Sequence, residues 1–204
     1  MNFPSSLIKD AVEAISNFPG IGKKSALRLA IYLLKNQKQA YNISDSIKKM
    51  VELTKYCQNC HNISKNELCD ICSNHNRTKE TICIVEDIRD IIAIEQTMQY
   101  KGHYHVLNGL ISPIEGIGPS DLNLNSLIQK ISSNTIKEII FALCASIEGE
   151  TTSYFIFKKI RAFDVKITTI SKGISIGSEL EYTDQVTLGR ALLNRYSFEK
   201  TLKQ

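Results

Sequence analysis

The sequence has no apolar run approaching the roughly 18 residues that a membrane-spanning helix needs, so no such span is expected. Its first apolar stretch, within residues 1–18, is broken by charges and has no small-residue cleavage site, so it is not expected to be a signal peptide. Tandem repeats and low-complexity segments are absent. Charge of one sign is not in large excess; the formal net charge is +4. These absences make a cytosolic protein the expectation, in a compartment where stable disulfides are rare. What is present is near the globular average, 43% apolar and 23% charged, which argues against wholesale disorder. A chain of 204 residues fits one or two domains. A single fold of that length buries about 70% of its unfolded surface without a disulfide framework.

The charge is unevenly spread. Residues 1–56 hold nine Lys or Arg and four acids, a balance of +5, and the remainder balances at −1. A polyanionic partner would be met at the N-terminal part. The competing reading is a solvated helical surface.

Periodicity orders the chain. Leu7, Ile8, Ala11, Val12 and Ile15 have helical spacing over 5–17, and Pro19-Gly20-Ile21-Gly22 breaks that helix. A second helix is expected over 23–35, and a third, capped by Ser44 or Asp45, to about Lys55. Residues 57–77 are too poor in apolar side chains to bury a core alone. After Arg77 the pattern alternates. Strands are expected over 81–85, 103–107, 138–143 and 165–170. Helices are expected over 88–98, from a Ser120 cap through Ile131, over 149–161 and over 184–195. Such alternation means a parallel sheet with helices on its faces. The fold class is thus multidomain α/β, with a helical N-terminal part.

Cys57-x2-Cys60-x8-Cys69-x2-Cys72 is the strongest chemical signal. Two Cys-x-x-Cys knuckles can offer four thiolates to one tetrahedral zinc ion, and a site closed by four protein ligands is structural. Binding of about 10–16 kcal/mol, as in zinc-finger peptides, suffices to fold a core-poor segment. Three competing readings are weaker. Two disulfides do not suit a cytosolic chain, and an iron–sulfur cluster less often uses this paired layout. Cys57-Gln-Asn-Cys60-His61 matches a haem-attachment pattern, which leaves Cys69 and Cys72 unexplained. Cys83 and Cys144 fall in expected strands and read as small buried apolar residues.

Gly20 and Gly22 permit a tight turn and close approach of a ligand to the backbone. The helix that follows offers free N–H groups and a positive dipole end, with Lys23 and Lys24 there and Arg28 one turn on. This arrangement resembles a helix-hairpin-helix motif gripping DNA backbone. A P-loop would need glycine where Asn17 stands, and a dinucleotide fingerprint fails at Ser25. The bland alternative is a helical corner with exposed lysines. Phosphate contacts position without reading sequence, and one hairpin binds weakly, so useful affinity calls for several copies.

Glu86-Asp87 follows the 81–85 strand, and Glu148-Gly149-Glu150 follows the 138–143 strand. Acids at the carboxyl ends of parallel strands sit where such sheets bind ligands. This pattern resembles the Toprim domain of topoisomerases, primases and some nucleases. Cys144 and Ser146 stand where that domain has a D-x-D pair, so two hard ligands for magnesium are missing. The expectation is a Toprim-like fold without its chemistry.

Three stretches, Phe18–Arg28, Val85–Asp90 with Tyr104–Gly109 and Gly116–Pro119, and Gly173–Asp184 leading to Arg190, resemble the RecR family of bacterial recombination mediators over nearly the whole chain. Departures are Lys23, where proline is common in that family, and Cys144-Ala145-Ser146 in place of asparagine, proline and threonine. The resemblance implies four parts: a helix-hairpin-helix region at 1–56, a four-cysteine zinc finger at 57–77, a Toprim domain at 78–172, and a glycine-rich segment with a helix at 173–204. It implies a noncatalytic DNA clamp, often a ring of four copies, acting in the bacterial cytoplasm on the nucleoid. RecO and RecF would be its partners, helping RecA load on SSB-coated strands at gaps. It carries Gly20, Gly22, Lys24 and Arg28 over as DNA contacts, with Lys23 added, and Glu86 and Glu148 as a partner-docking surface for RecO. Residues 173–184, Walker-B-like in the family, have no P-loop beside them and read as a packing segment. His103 and His105 share a strand face and read as structural. The alternatives are a metal-dependent Toprim nuclease using Glu86, Asp87 and Glu148, and an adaptor whose hairpin binds nothing.

Overall fold

The computed structural model describes residues 5–195 and 197–199; the outermost residues of the expected first and last segments, 1–4 and 200–204, and Tyr196 lie outside the described residues. The chain forms two compact units, 1–54 and 55–204. None of the described helices is long and apolar enough to cross a membrane.

The first unit is helical. Helix α1 (Ser6–Ser16) is capped by the Ser5 hydroxyl and α2 (Lys23–Lys35) starts directly after Gly22. Both match the expected positions. Helix α3 (Gln37–Leu53) does not: it begins seven residues before Ser44, which lies inside it with Asp45. Asn36 closes α2 and opens α3 at φ −119°, ψ 62°. Its side chain donates to the Tyr32 carbonyl at 2.8 Å, and the Tyr32 hydroxyl donates to Gln39 Oε1 at 2.9 Å across the corner. A good N-cap residue type in mid-helix does not start a helix when the preceding Gln-Lys-Gln-Ala run already favours one. In this unit only Val12 and Ala26 are fully buried among the described residues. An apolar groove of about 420 Å³ runs beside them, lined by Leu7, Ile8, Ile31, Leu34 and Tyr41.

The second unit opens with a two-stranded antiparallel ribbon, β1 (Lys55–Tyr56) and β2 (Ile63–Ser64), and a single helical turn, α4 (Asp70–Ser73). A four-stranded sheet follows, in the order β4-β3-β5-β6, with every pairing parallel. Its strands are β3 (Thr81–Val85), β4 (His103–Val106), β5 (Glu138–Phe141) and β6 (Lys166–Thr169). Helices α5 (Ile88–Gln96), α6 (Leu124–Ser132) and α7 (Ile147–Ile160) cover it, and α8 (Gln185–Leu193) is the last described helix.

Alternation along β3 explains the layers. Ile82 and Ile84 join a core with Leu127, Ile131, Ile156 and Ile160 of α6 and α7, while Cys83 and Val85 join Ile91 of α5 on the other face. Each such fully buried aliphatic side chain contributes about 1.5–3 kcal/mol. Two expected details change. Helix α6 starts at Leu124 after Asn123, because Pro119–Asp121 forms a separate 3-10 turn around Ser120. Strand β5 stops at Phe141, which leaves Cys144 exposed in the loop beyond it and not buried in a strand; Cys83 is buried as expected.

Candidate metal centre and nucleic-acid interface

The four cysteine sulfurs at 57, 60, 69 and 72 lie within 4.8 Å of one another. A tetrahedral ion with Zn–S bonds of about 2.3 Å needs sulfurs about 3.8 Å apart. Cys60 Sγ and Cys69 Sγ are 3.5 Å apart, so the donor set fits one zinc ion. The hydrogen bond between these two sulfurs raises the Cys60 thiol and lowers that of Cys69. The first knuckle is closed by the His61 N–H donating to the Cys57 carbonyl at 2.9 Å, with His61 in the left-handed region at φ 62°. Asn59 Nδ2 donates to Cys72 Sγ at 3.4 Å, linking the two knuckles.

The knuckles rest on the sheet. The Val106 N–H donates to the Cys60 carbonyl at 2.9 Å. Lys130 of α6 donates to the Asn59 carbonyl, and its Nζ lies 3.2 Å from His105 Nδ1. His105 Nε2 lies 2.6 Å from the Asn123 carbonyl, which assigns the proton to Nε2 and leaves Nδ1 to accept from Lys130. Burial, helped by Lys130, holds His105 down to about 3, so it is neutral at physiological pH. His61 packs edge-on against His105 at 5.2 Å and lies 2.7 Å from Ser126 Oγ. Lys130 thus ties the first knuckle to α6, a contact the sequence does not announce. Its place among Leu127, Ile128 and Ile131 was the available signal. It brings a cation to four thiolates whose zinc complex carries a net negative charge.

The hairpin residues lie on the first unit. Gly20 has φ +79°, which a side chain would strain. Gly22 sits at the N-cap with φ −82°, so its role is open space: a Cβ there would meet nothing within 4 Å. No side chain caps α2, which leaves its first N–H groups uncapped. Lys23, Lys24 and Arg28 are exposed on its first turns, and none of the three is in an ion pair among the described residues.

The carboxylates sit at the carboxyl edge of the parallel sheet. Glu86 follows β3, and Glu148 lies in the first turn of α7, after β5. Burial, then Asp90 and Asp87, raise the Glu86 carboxyl. Asp90 accepts from the Glu86 and Asp87 N–H groups at 3.0 and 3.3 Å, and Asp87 accepts from the Arg89 N–H at 2.7 Å, which caps α5. Ser146 caps α7 by accepting from the Gly149 N–H at 3.1 Å, and Cys144 Sγ lies 3.0 Å from Ser146 Oγ. Among the described residues, the cysteine quartet is the group of three or more His, Cys, Asp or Glu whose donor atoms converge for a metal.

A helix-hairpin-helix unit, a four-cysteine site and an α/β domain with a parallel sheet define a zinc-binding, Toprim-type class of protein. The sequence matches family models for the Toprim domain over 80–171, the RecR helix-hairpin-helix over 8–51, the RecR four-cysteine zinc finger domain over 54–74 and the RecR C-terminal region over 173–196. It is 54% identical to the recombination protein RecR of Flavobacterium johnsoniae over 204 residues, covering all of this chain and 99% of that protein. It is 53% identical to the RecR of Cytophaga hutchinsonii and 47% to that of Bacteroides thetaiotaomicron, each over 201 residues and 98% of both chains. The chain belongs to the RecR family of recombination proteins.

Proposed function

We propose that the protein is a noncatalytic DNA-binding clamp in recombinational repair, held by its hairpin to the backbone at single-strand gaps. The carrying observation is the uncapped start of α2 with Lys23, Lys24 and Arg28 exposed beside it and free of acids. Open N–H groups, a positive dipole end and three cations favour phosphate, and the bare glycines admit a backbone closely. In this reading residues 1–56 grip DNA, 57–77 stabilise, 78–172 carry partners, and 173–204 pack. Four copies form a ring; support comes from the apolar groove of the N-terminal unit, whose fully buried core is too small to hide it. Glu86 and Glu148 form an acidic docking surface for RecO, and with RecF the complex helps RecA load on SSB-coated strands. The setting is the cytoplasm, on the nucleoid. The absence of catalysis is supported by Cys144 and Ser146, whose contacts serve the cap of α7.

The test is one gel with a gapped duplex and magnesium, comparing the native chain with Lys24→Glu/Arg28→Glu. The expected result is intact DNA, shifted by the native chain only, with a log–log salt slope of about −0.9 per duplex phosphate engaged. Cut DNA would establish the metal-dependent nuclease instead. A slope near zero would remove the clamp.

A further inference from the structure

The segment 171–174, which leaves the carboxyl end of β6, borders an open cleft of about 1060 Å³. Three cationic side chains line it: Lys172 from the segment, Arg190 from α8, and Arg195 just past that helix. One acid, Glu150 of α7, faces them. Lys172 Nζ donates to Glu150 Oε1 at 2.8 Å and Arg190 donates to the same oxygen at 3.1 Å. One carboxylate against three cations leaves the cleft positive. Lys172 and Arg190 hold the Glu150 carboxyl below its usual range. Among the described residues, the backbone N–H groups of 171–174 have no intramolecular acceptor, while the preceding Ile170 N–H still bonds to Phe141 in the sheet. Cations lining an open cleft favour an anion, and the carboxyl ends of parallel strands are where such sheets take ligands.

We propose that this cleft binds a phosphate group, held by Lys172, Arg190 and Arg195. The phosphate comes from a nucleic-acid backbone or from a free phosphate ester. In either case the site is separate from the α2 hairpin. An incoming phosphate oxygen replaces Glu150 as the partner of Lys172 and Arg190.

The experiment uses the full-length, zinc-loaded chain. Fluorescence anisotropy with a labelled single-stranded oligonucleotide and calorimetry with inorganic pyrophosphate are run on the native chain, Lys172→Gln/Arg195→Gln, Glu150→Gln and Lys24→Glu/Arg28→Glu. The Lys172→Gln/Arg195→Gln variant should weaken the oligonucleotide several-fold and flatten the log–log salt slope by about 1.4 if the phosphate belongs to a single strand. Weakening of pyrophosphate alone assigns the cleft to free phosphate esters. Glu150→Gln removes the competing anion and should tighten the same ligand, so it carries the test even if the double variant folds poorly. The proposal is overturned if neither ligand responds to either variant, or if Glu150→Gln weakens both as a structural lesion would. Loss confined to Lys24→Glu/Arg28→Glu sinks the cleft and spares the hairpin; loss confined to Lys172→Gln/Arg195→Gln does the reverse.

Discussion

The Val106 amide donates to the Cys60 carbonyl at 2.9 Å, so the outer edge of β4 is paired to the first zinc knuckle. An edge strand left open is a template for unwanted pairing, and here a metal-held loop covers part of it.

That bond gives the first prediction. The protein should hold one zinc per chain by metal analysis, and Cys69→Ser should lose it. Stripping the metal should release the Val106 amide to hydrogen exchange, while the Ile84 amide in the sheet centre stays protected. A Val106 amide still protected after zinc removal would mean that the knuckle docks without its ion.

Arg77, Glu95 and Tyr104 form a second load on the same sheet. Arg77 donates to both Glu95 carboxylate oxygens and, at 3.0 Å, to the Gly102 carbonyl; the Tyr104 hydroxyl donates to Glu95 at 2.6 Å. The Arg77 side chain is only 15% exposed. Glu95→Ala strands that cation and should cost about 2 kcal/mol, below the fully buried case because Glu95 is itself partly exposed. Urea midpoints of both single variants and of Arg77→Ala/Glu95→Ala should show a clearly sub-additive cycle; strict additivity would deny the coupling.

Gly149 is the tightest glycine of the carboxyl edge. A Cβ there would overlap the Cys144 carbonyl oxygen, which is backbone and cannot swing aside. Gly149→Ala should therefore destabilise by about 2 kcal/mol although alanine favours helices. A neutral or stabilised variant in thermal melts would mean that the loop before α7 yields freely.

His105 sets an acid limit. Its native proton affinity lies at about 3, below the unfolded value of 6.5, so the unfolded chain takes up the proton first. Its contribution is whole above about pH 6.5 and fades as pH falls toward 3, by at most about 1.4 kcal/mol per unit. Urea midpoints between pH 7.5 and 5, with zinc occupancy followed in parallel, should fall more steeply for the native chain than for His105→Asn. Equal slopes would show that His105 is free to charge in the fold.

Local signals carry much of this architecture. The Gly-rich break puts α2 at its observed start, and strict apolar runs mark β3 and β5. The Cys-x-x-Cys spacing alone points to the converging sulfurs. What stays hidden depends on contacts distant in sequence. Nothing local to Lys130 says that it will meet Asn59, 71 positions away. The start of α3 departs from expectation because Asn36 makes a corner from one residue with no side-chain cap, while Ser44 and Asp45 advertise a start they do not make. Cys144 is exposed, against expectation, because apolar composition continues past Phe141 after the ladder has ended.

The Asn36 corner has a genetic consequence. One residue alone separates α2 from α3, so no slack exists to absorb a change of length. Each residue of an α-helix advances the side chains by about 100°. Adding or deleting a single codon at this joint would turn all of α3 by that angle and carry Tyr41 out of line with Leu7 and Leu34. The phase of the third helix is thus held by reading length, and a one-residue indel there is a larger structural event than most substitutions within the helix itself.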